Sequence, residues 1–446
     1  MPEQPPRPPT FGEIYRDRRM LTLALLGLAG GLPNLIATDT IAAWLSAIGR
    51  DVKAIGLFAL VTLPYTFKFL WAPLLDRFEI PRLGRRRGWL IVFQALLAAT
   101  LAGIAIAGPN DSASPLLPLA ILGTALVFLS ASFDIVSGAY LVDIVEKREQ
   151  GAGAAAYVSG YRVAFVAAGA GVLILAKYLG WRVALISAAA LMTALAIATI
   201  FAREPRRISP PQSLAEAVVQ PVRTFIADYG AGLAIIIAFV LLFRLPDQLA
   251  TRMTMPLLIK HLHFTTEEVG WIRQALGFAI TIAGALAGGA VIARLGMAKS
   301  LLLFGILQAI SNAGFLLLAS MPRDLVWLIV VIGIENFCNG LVSAGFVAFL
   351  MSCCDHRYSG TQYALLTSLM AAAGAIAGAV SGYLVGLESR YAWFFGVSIV
   401  AGLPGVALIP FLPRRRAGDP HLCRECGYDL RESVTGVCPE CGAARA

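Results

Sequence analysis

Charge is scarce in this 446-residue chain: 14% of its residues are Asp, Glu, Lys or Arg, while 58% are hydrophobic. That composition excludes an ordinary soluble domain and points to a polytopic membrane protein. Histidine is rarer still. The four, His261, His263, His356 and His421, fall in loops or the tail, and "HLH" at 261–263 has no acidic cluster near it in the sequence, so it reads as incidental. No phosphate-binding loop and no nucleophile–His–acid arrangement occurs, so no enzyme is expected. The sequence also lacks an obvious signal cleavage site after its proline-rich, then basic N-terminus.

Long apolar runs are abundant. Crossing the hydrocarbon core takes about 20 apolar residues, and such runs lie at 20–46, 54–75, 89–108, 115–141, 152–177, 182–202, 231–256, 268–293, 299–320, 324–350, 360–386 and 391–412. Twelve spans put both ends on one side. Most of the 36 Lys and Arg residues fall in the two tails and the loops on that side, which predicts cytoplasmic termini. Topology therefore accounts for the net charge of +9, and no nucleic-acid partner is implied.

The longest internal polar stretch, "REPRRISPPQSLAEAVVQPVRTF" from Arg203, divides the spans into two sets of six. The expected organisation is a cytoplasmic tail (1–19), a six-helix half (20–202), a central loop (203–230), a second six-helix half (231–412) and a small module at 421–443. This layout resembles that of an all-α major-facilitator transporter. Each half has a short basic loop between its second and third spans, "DRFEIPRLGRRRG" and "ARLGMAKS". Asp76, Arg77 and Arg85 in the first are candidates for gating, against the plainer reading of positive-inside charge. Gly- and Ala-rich spans such as "GALAGGA" from Gly284 predict close helix packing. "GGLPN" and "FRLPD" interrupt the first span of each half, and paired interruptions point to a midplane site.

Charges within spans cost at least about 2.5 kcal/mol each and by default mark an interior cavity. The acids Asp134, Asp247, Glu335 and Asp39 are candidate proton carriers, because a buried carboxylate exchanges its proton as its surroundings change. Asp143 lies nearer a helix end, where charge is cheap, and ranks lower. Lys68, Arg162, Arg244, Asn336 and Asn339 are candidates for binding a polar, anionic solute. Ser130 and Asp134 share a helix face, as do Glu335 and Asn339. Arg244 and Asp247 are close enough to form a purely local ion pair, the structural alternative for "FRLPD".

The tail carries "CRECGYDLRESVTGVCPECG". Two Cys-x-x-Cys knuckles, Cys423/Cys426 and Cys438/Cys441, predict a closed four-thiolate structural zinc ribbon. Disulfides are disfavoured in a reducing cytoplasm. The ribbon is expected to act as a stable cap or to dock a cytoplasmic partner. Cys338, Cys353 and Cys354 read as small buried residues.

"FKFLWAPLLDRF", "GRRRGW", "ASFDIV", "QGAGAAAYVSGYR", "FRLPD", "FGILQAISNAGF", "IENFCNGLVSAGFVAFLM" and "TQYALL" together resemble the AmpG-type muropeptide permeases of the major facilitator superfamily, from about Gly30 to Leu412. The resemblance implies proton-coupled import of anhydro-muropeptides across the bacterial inner membrane, and it carries over to Lys68, Asp134, Arg162, Asp247 and Glu335. It also marks departures. Phe133, Gly138, Leu141 and Asp39 stand where the family pattern has Gln, Asp, Lys and Gly, and Arg244 replaces a Lys. The family's further spans at the C-terminal end are replaced here by the cysteine tail. Acetyl-CoA or siderophore transport within the same family is the runner-up. A transport-inactive sensor or scaffold working through the ribbon is the rival of another class. The expected partners are a small polar solute, protons and the bilayer, with the chain a monomer.

Overall fold

The computed structural model describes residues 15–51, 58–109, 111, 114–205, 211, 213–385 and 391–413. The cysteine module at 421–443, with Cys423, Cys426, Cys438 and Cys441, lies outside the described residues, as does most of the N-terminal tail. The described chain is helical, its one β-bridge joining Ile80 and Gly84.

Ten helices among the described residues are long and apolar enough to cross a membrane. We label α1 Arg18–Ala47, then the broken segment α2 up to Arg77, α3 Arg87–Ala107, α4 Leu117–Ile144, α5 Gln150–Leu179 and α6 Trp181–Ile200. After them come α7 Leu214–Tyr229, α8 Gly232–His261, α9 Glu267–Leu295, α10 Met297–Ser320, α11 Leu325–Cys353, α12 Ser359–Val385 and α13 Tyr391–Phe411. Only α2 and α12, among the expected spans, are not in the ten. Helix α12 has 27 residues, about 40 Å at 1.5 Å per residue.

Segment α2 differs from the continuous span expected at 54–75. Its described part is four short pieces: Ala59–Thr62, Leu63–Phe67, Lys68–Leu70 and Ala72–Arg77. Pro64 and Pro73 fall in the first turn of the second and fourth pieces. Proline has no backbone N–H to give the preceding turn, so the ladder restarts at each. Helix α8 is interrupted as "FRLPD" predicts: one stretch ends at Phe243, and the next starts at Leu245 with Pro246 in its first turn.

The segment read as a central loop holds a helix, α7. Ser213 starts it, its hydroxyl accepting the Glu216 N–H at 3.0 Å, and apolar residues at four-residue spacing supply a face to bury.

The two halves pack alike. In the first, α1 lies on α5 and α6, and α3 on α4 and α6; in the second, α8 lies on α12 and α13, and α10 on α11 and α13. Two close crossings need glycine. A Cβ on Gly160 would sit 1.7 Å from Ala24 O, and one on Gly284 would sit 2.2 Å from Phe337 O. The halves meet where α5 packs on α9 and α11, and where α2 and α4 pack on α12. Cys338, Cys353 and Cys354 are buried, as expected.

Candidate functional site

Two groups of buried polar side chains occupy the middle of the bundle. The first belongs to α2 and α4. The break in α2 turns Lys68, 3% exposed, towards α4, where its ammonium pairs with the Asp134 carboxylate. One turn from Asp134 on the same face, Ser130 Oγ lies 2.5 Å from Tyr65 Oη. Trp71 Nε1 donates to Ser132 Oγ at 3.0 Å. Tyr157, Tyr161 and Tyr363 also lie within electrostatic reach of Asp134, and Asn34 Nδ2 donates to Tyr161 Oη at 2.8 Å. This group thus offers an ion pair in an aromatic, hydroxyl-rich wall.

The second group joins the halves. Arg162 Nη2, from α5, donates to Asn339 Oδ1 of α11 at 2.8 Å. The same oxygen accepts the Ser343 hydroxyl at 3.2 Å, and Arg244 Nη1 donates to Ser343 Oγ at 3.3 Å. Arg244 Nη1 is also 3.3 Å from Asp247 Oδ2, so the expected local pair is present but does not stand alone. Asp247 interacts with Asn312 and Gln308 of α10 and with Arg162. Glu335 faces Asp247, Arg273, Arg162 and Arg244. Arg273, from α9, is a cation within electrostatic reach of Glu335 that the sequence reading left outside its candidate set.

Two candidates stand apart. Asp39 is exposed in a π-helical turn of α1, where it accepts from Thr38 Oγ1 at 3.1 Å. Asn336 turns into the α9–α11 contact, accepting from Thr281 Oγ1 at 2.9 Å and donating to Ile332 O at 2.8 Å.

A third cluster lies at the α2–α3 loop. Asp76 is fully buried, and its carboxylate accepts the Gly360 N–H at 3.2 Å, the Thr361 N–H at 2.6 Å and the Thr361 hydroxyl at 2.7 Å. An N-terminal carboxylate suits the positive end of α12, and here it comes from the other half. Arg86 ties this latch to α4, lying 2.8 Å from both Asp76 Oδ1 and Asp143 Oδ2, and it donates to Ser359 Oγ at 2.8 Å. Arg85 donates to Arg357 O across the halves at 2.9 Å. Burial and the neighbouring Arg86 bring the Arg85 guanidinium down to about 10. Burial would also lower Arg86, but Asp143 and Asp76 outweigh it and hold Arg86 well above its ordinary value. Arg77 takes a different place, stacked 5.4 Å from the Phe78 ring centroid. Arg86 and Asp143 are therefore the latch members that sequence reasoning missed. The triple arginine was a signal for one, and the low cost of charge at a helix end masked the other.

At the opposite end, the ion pair of Arg323 with Glu268 at 2.7 Å lies within one half. Among the described residues no group of three or more His, Cys, Asp or Glu could hold a metal ion.

The two helical halves thus pack alike, meet through buried polar groups and are joined again by the Asp76 cluster. Residues 20–378 match the Major Facilitator Superfamily. The chain belongs to that superfamily, in its AmpG-type permease family. It is 40% identical over 400 residues to the anhydromuropeptide permease of Escherichia coli K12, covering 89% of this chain and 80% of that one. It is 32% identical to the putative transporter AmpG 4 of Rickettsia felis, covering 90% and 98%. Among solved structures, the human organic anion transporter MFSD10 superposes with a TM-score of 0.63 at 18% identity, covering 91% of this chain and 100% of that one. The proton:xylose symporter XylE gives 0.66 at 12% identity, covering 89% and 95%. These structural likenesses show the fold. A membrane transporter of this family accounts for both the apolar helices and the polar midplane.

Proposed function

We propose that this permease imports an anionic, muropeptide-type solute with protons, by alternating access through twelve spans whose termini face the cytoplasm of the bacterial inner membrane. The observation that carries the proposal is the bridge between halves at the midplane, where Arg162, Arg244, Arg273 and Asn339 converge with Asp247 and Glu335. Cations gathered from α5, α8 and α9 suit peptide carboxylates, and the aromatic wall around Lys68 and Asp134 suits the sugar end of such a solute. An arriving solute carboxylate competes with Asp247, Glu335 and Asp134 for the cations. A carboxylate that loses its cation in a dry site takes up a proton, which links solute binding to proton uptake. Asp39, exposed in the π-helical turn of α1, is assigned to proton entry, and Asn336 to holding α11 in register beside the site. In this reading the Asp76 latch closes the cytoplasmic side and opens to release the solute.

The 40% identity to an anhydromuropeptide permease favours muropeptides over acetyl-CoA or siderophores as cargo. Uptake of labelled anhydro-muropeptide into proteoliposomes tests the proposal. Accumulation above the external concentration only under an inward proton gradient supports it, whereas accumulation indifferent to the gradient refutes symport. The tail is proposed to fold as a zinc ribbon on Cys423, Cys426, Cys438 and Cys441. Purified protein should carry one zinc, and Cys438→Ser should lose it; unchanged zinc content would refute the ribbon.

A further inference from the structure

Helix α7 carries more apolar surface than the protein itself covers. Ala217, Pro221, Phe225 and Tyr229 recur every four residues and are buried, where α7 packs on α2, α8 and α12. Beside them Leu214, Val218, Val222 and Ile226 recur at the same spacing and, with Val219, are between 42% and 54% exposed. Glu216, Gln220, Arg223 and Thr224 occupy the remaining side. At about 100° per residue, the helix thus has a protein-facing sector, an apolar exposed sector and a polar sector in succession. A helix lying in the plane of a membrane boundary has this layout.

The position of α7 in the chain supplies the second observation. Only Gly230, at φ 55°, and Ala231 separate it from Gly232, where α8 begins its crossing. On its other side α6 ends at Ile200, and there Ile200 and Phe201 are 49% and 83% exposed. The helix that carries the exposed apolar sector therefore ends two residues before a crossing helix starts.

We propose that α7 lies in the bilayer plane with Val218, Val222 and Ile226 at the headgroup–acyl boundary, and that lipid thereby holds the start of α12 in place. The inner face of α7, with Glu216 beside it, makes the connection. Gln362 Nε2 donates to Pro221 O at 3.1 Å, Tyr358 Oη to Glu216 Oε1 at 3.4 Å, and Tyr229 Oη to Cys353 O at 3.3 Å. Gln362 is fully buried, and its Oε1 accepts the Asp355 N–H at 2.6 Å. Asp76 grips the same turn of α12 from the other side. The helix is a strut between the membrane surface and the latch, and its placement stands on its own faces whatever solute is carried.

The test uses the full-length protein in phosphatidylglycerol–phosphatidylethanolamine nanodiscs made with and without brominated acyl chains. Val222→Trp and Ile226→Trp should add fluorescence that brominated lipid quenches severalfold more than aqueous iodide does. Ala227→Trp, beside the polar sector, should show the reverse. Iodide quenching of Ile226→Trp equal to that of Ala227→Trp overturns the placement. So does quenching by neither agent together with cross-linked dimers, since a second copy would then cover the face. For the connection, Val222→Glu with Ile226→Glu should raise amide exchange severalfold at Gly360–Gln362 and leave α10 unchanged. Unchanged exchange at Gly360–Gln362 overturns it. Gln362→Ala should raise the same exchange while leaving the quenching pattern intact, and a failure to do so also counts against the connection.

Discussion

The latch and the midplane group both join the halves with buried charge, yet they are built differently. At the latch, Asp76 has no exposed surface and its carboxylate meets two backbone amides, a hydroxyl and two guanidinium groups. At the midplane, Arg162 and Arg244 reach their partners through one nitrogen each, and Asn339 Oδ1 serves both Arg162 and Ser343. A saturated cluster has one arrangement that satisfies it and is costly to disturb. A sparsely bonded one has fewer bonds to break when its partners change, which the proposed trade of a solute for the site's own carboxylates requires. On the proposed function, the Asp76 cluster acts as a two-state catch and the midplane group as an adjustable surface.

Substitutions should separate the two. Asp76→Ala leaves Arg85 and Arg86 buried without their shared partner, a loss on the order of 3–5 kcal/mol. It should free the start of α12 and sharply reduce turnover, read as a drop in uptake rate together with faster labelling of a cysteine placed at Ser359. Uptake near the parent rate would make the latch dispensable. Arg162→Ala removes one cation from the midplane and should raise KM about tenfold, equivalent to about 1.4 kcal/mol, with the latch undisturbed. A fall in maximal rate at unchanged KM would instead give Arg162 a conformational role. Arg244→Lys should have the smallest effect, within about 0.5 kcal/mol or roughly twofold in KM. Arg244 meets both Ser343 and Asp247 through Nη1 alone, a use a Lys point charge can reproduce. A tenfold loss would show that the guanidinium fork matters and that the comparison with the latch is too simple.

Much of this was legible in the sequence, for identifiable reasons. Apolar runs report crossing helices because unpaired backbone is so costly in lipid, and the ten long helices fall at expected runs. The Ser130–Asp134 face and the Arg244–Asp247 pair followed from helical spacing, which is local. The break in α2 was missed because a hydropathy window averages over Pro64 and Pro73. Helix α7 was missed because its apolar residues sit in a basic, proline-containing segment and are periodic rather than continuous. Arg86 and Asp143 could not be joined from sequence, since the contact spans 57 positions and each charge alone is cheap near a helix end. Arg273 escaped for a similar reason: its partner Glu335 lies two helices away.

The central claim is that midplane carboxylates couple solute movement to protons, and Asp247→Asn tests it most directly. In proteoliposomes this variant should exchange labelled for unlabelled anhydro-muropeptide at close to the parent rate, because the cations and the latch remain. It should no longer accumulate solute under an imposed inward proton gradient. Gradient-driven accumulation at the parent level, in a variant shown to be folded and inserted, would contradict the account.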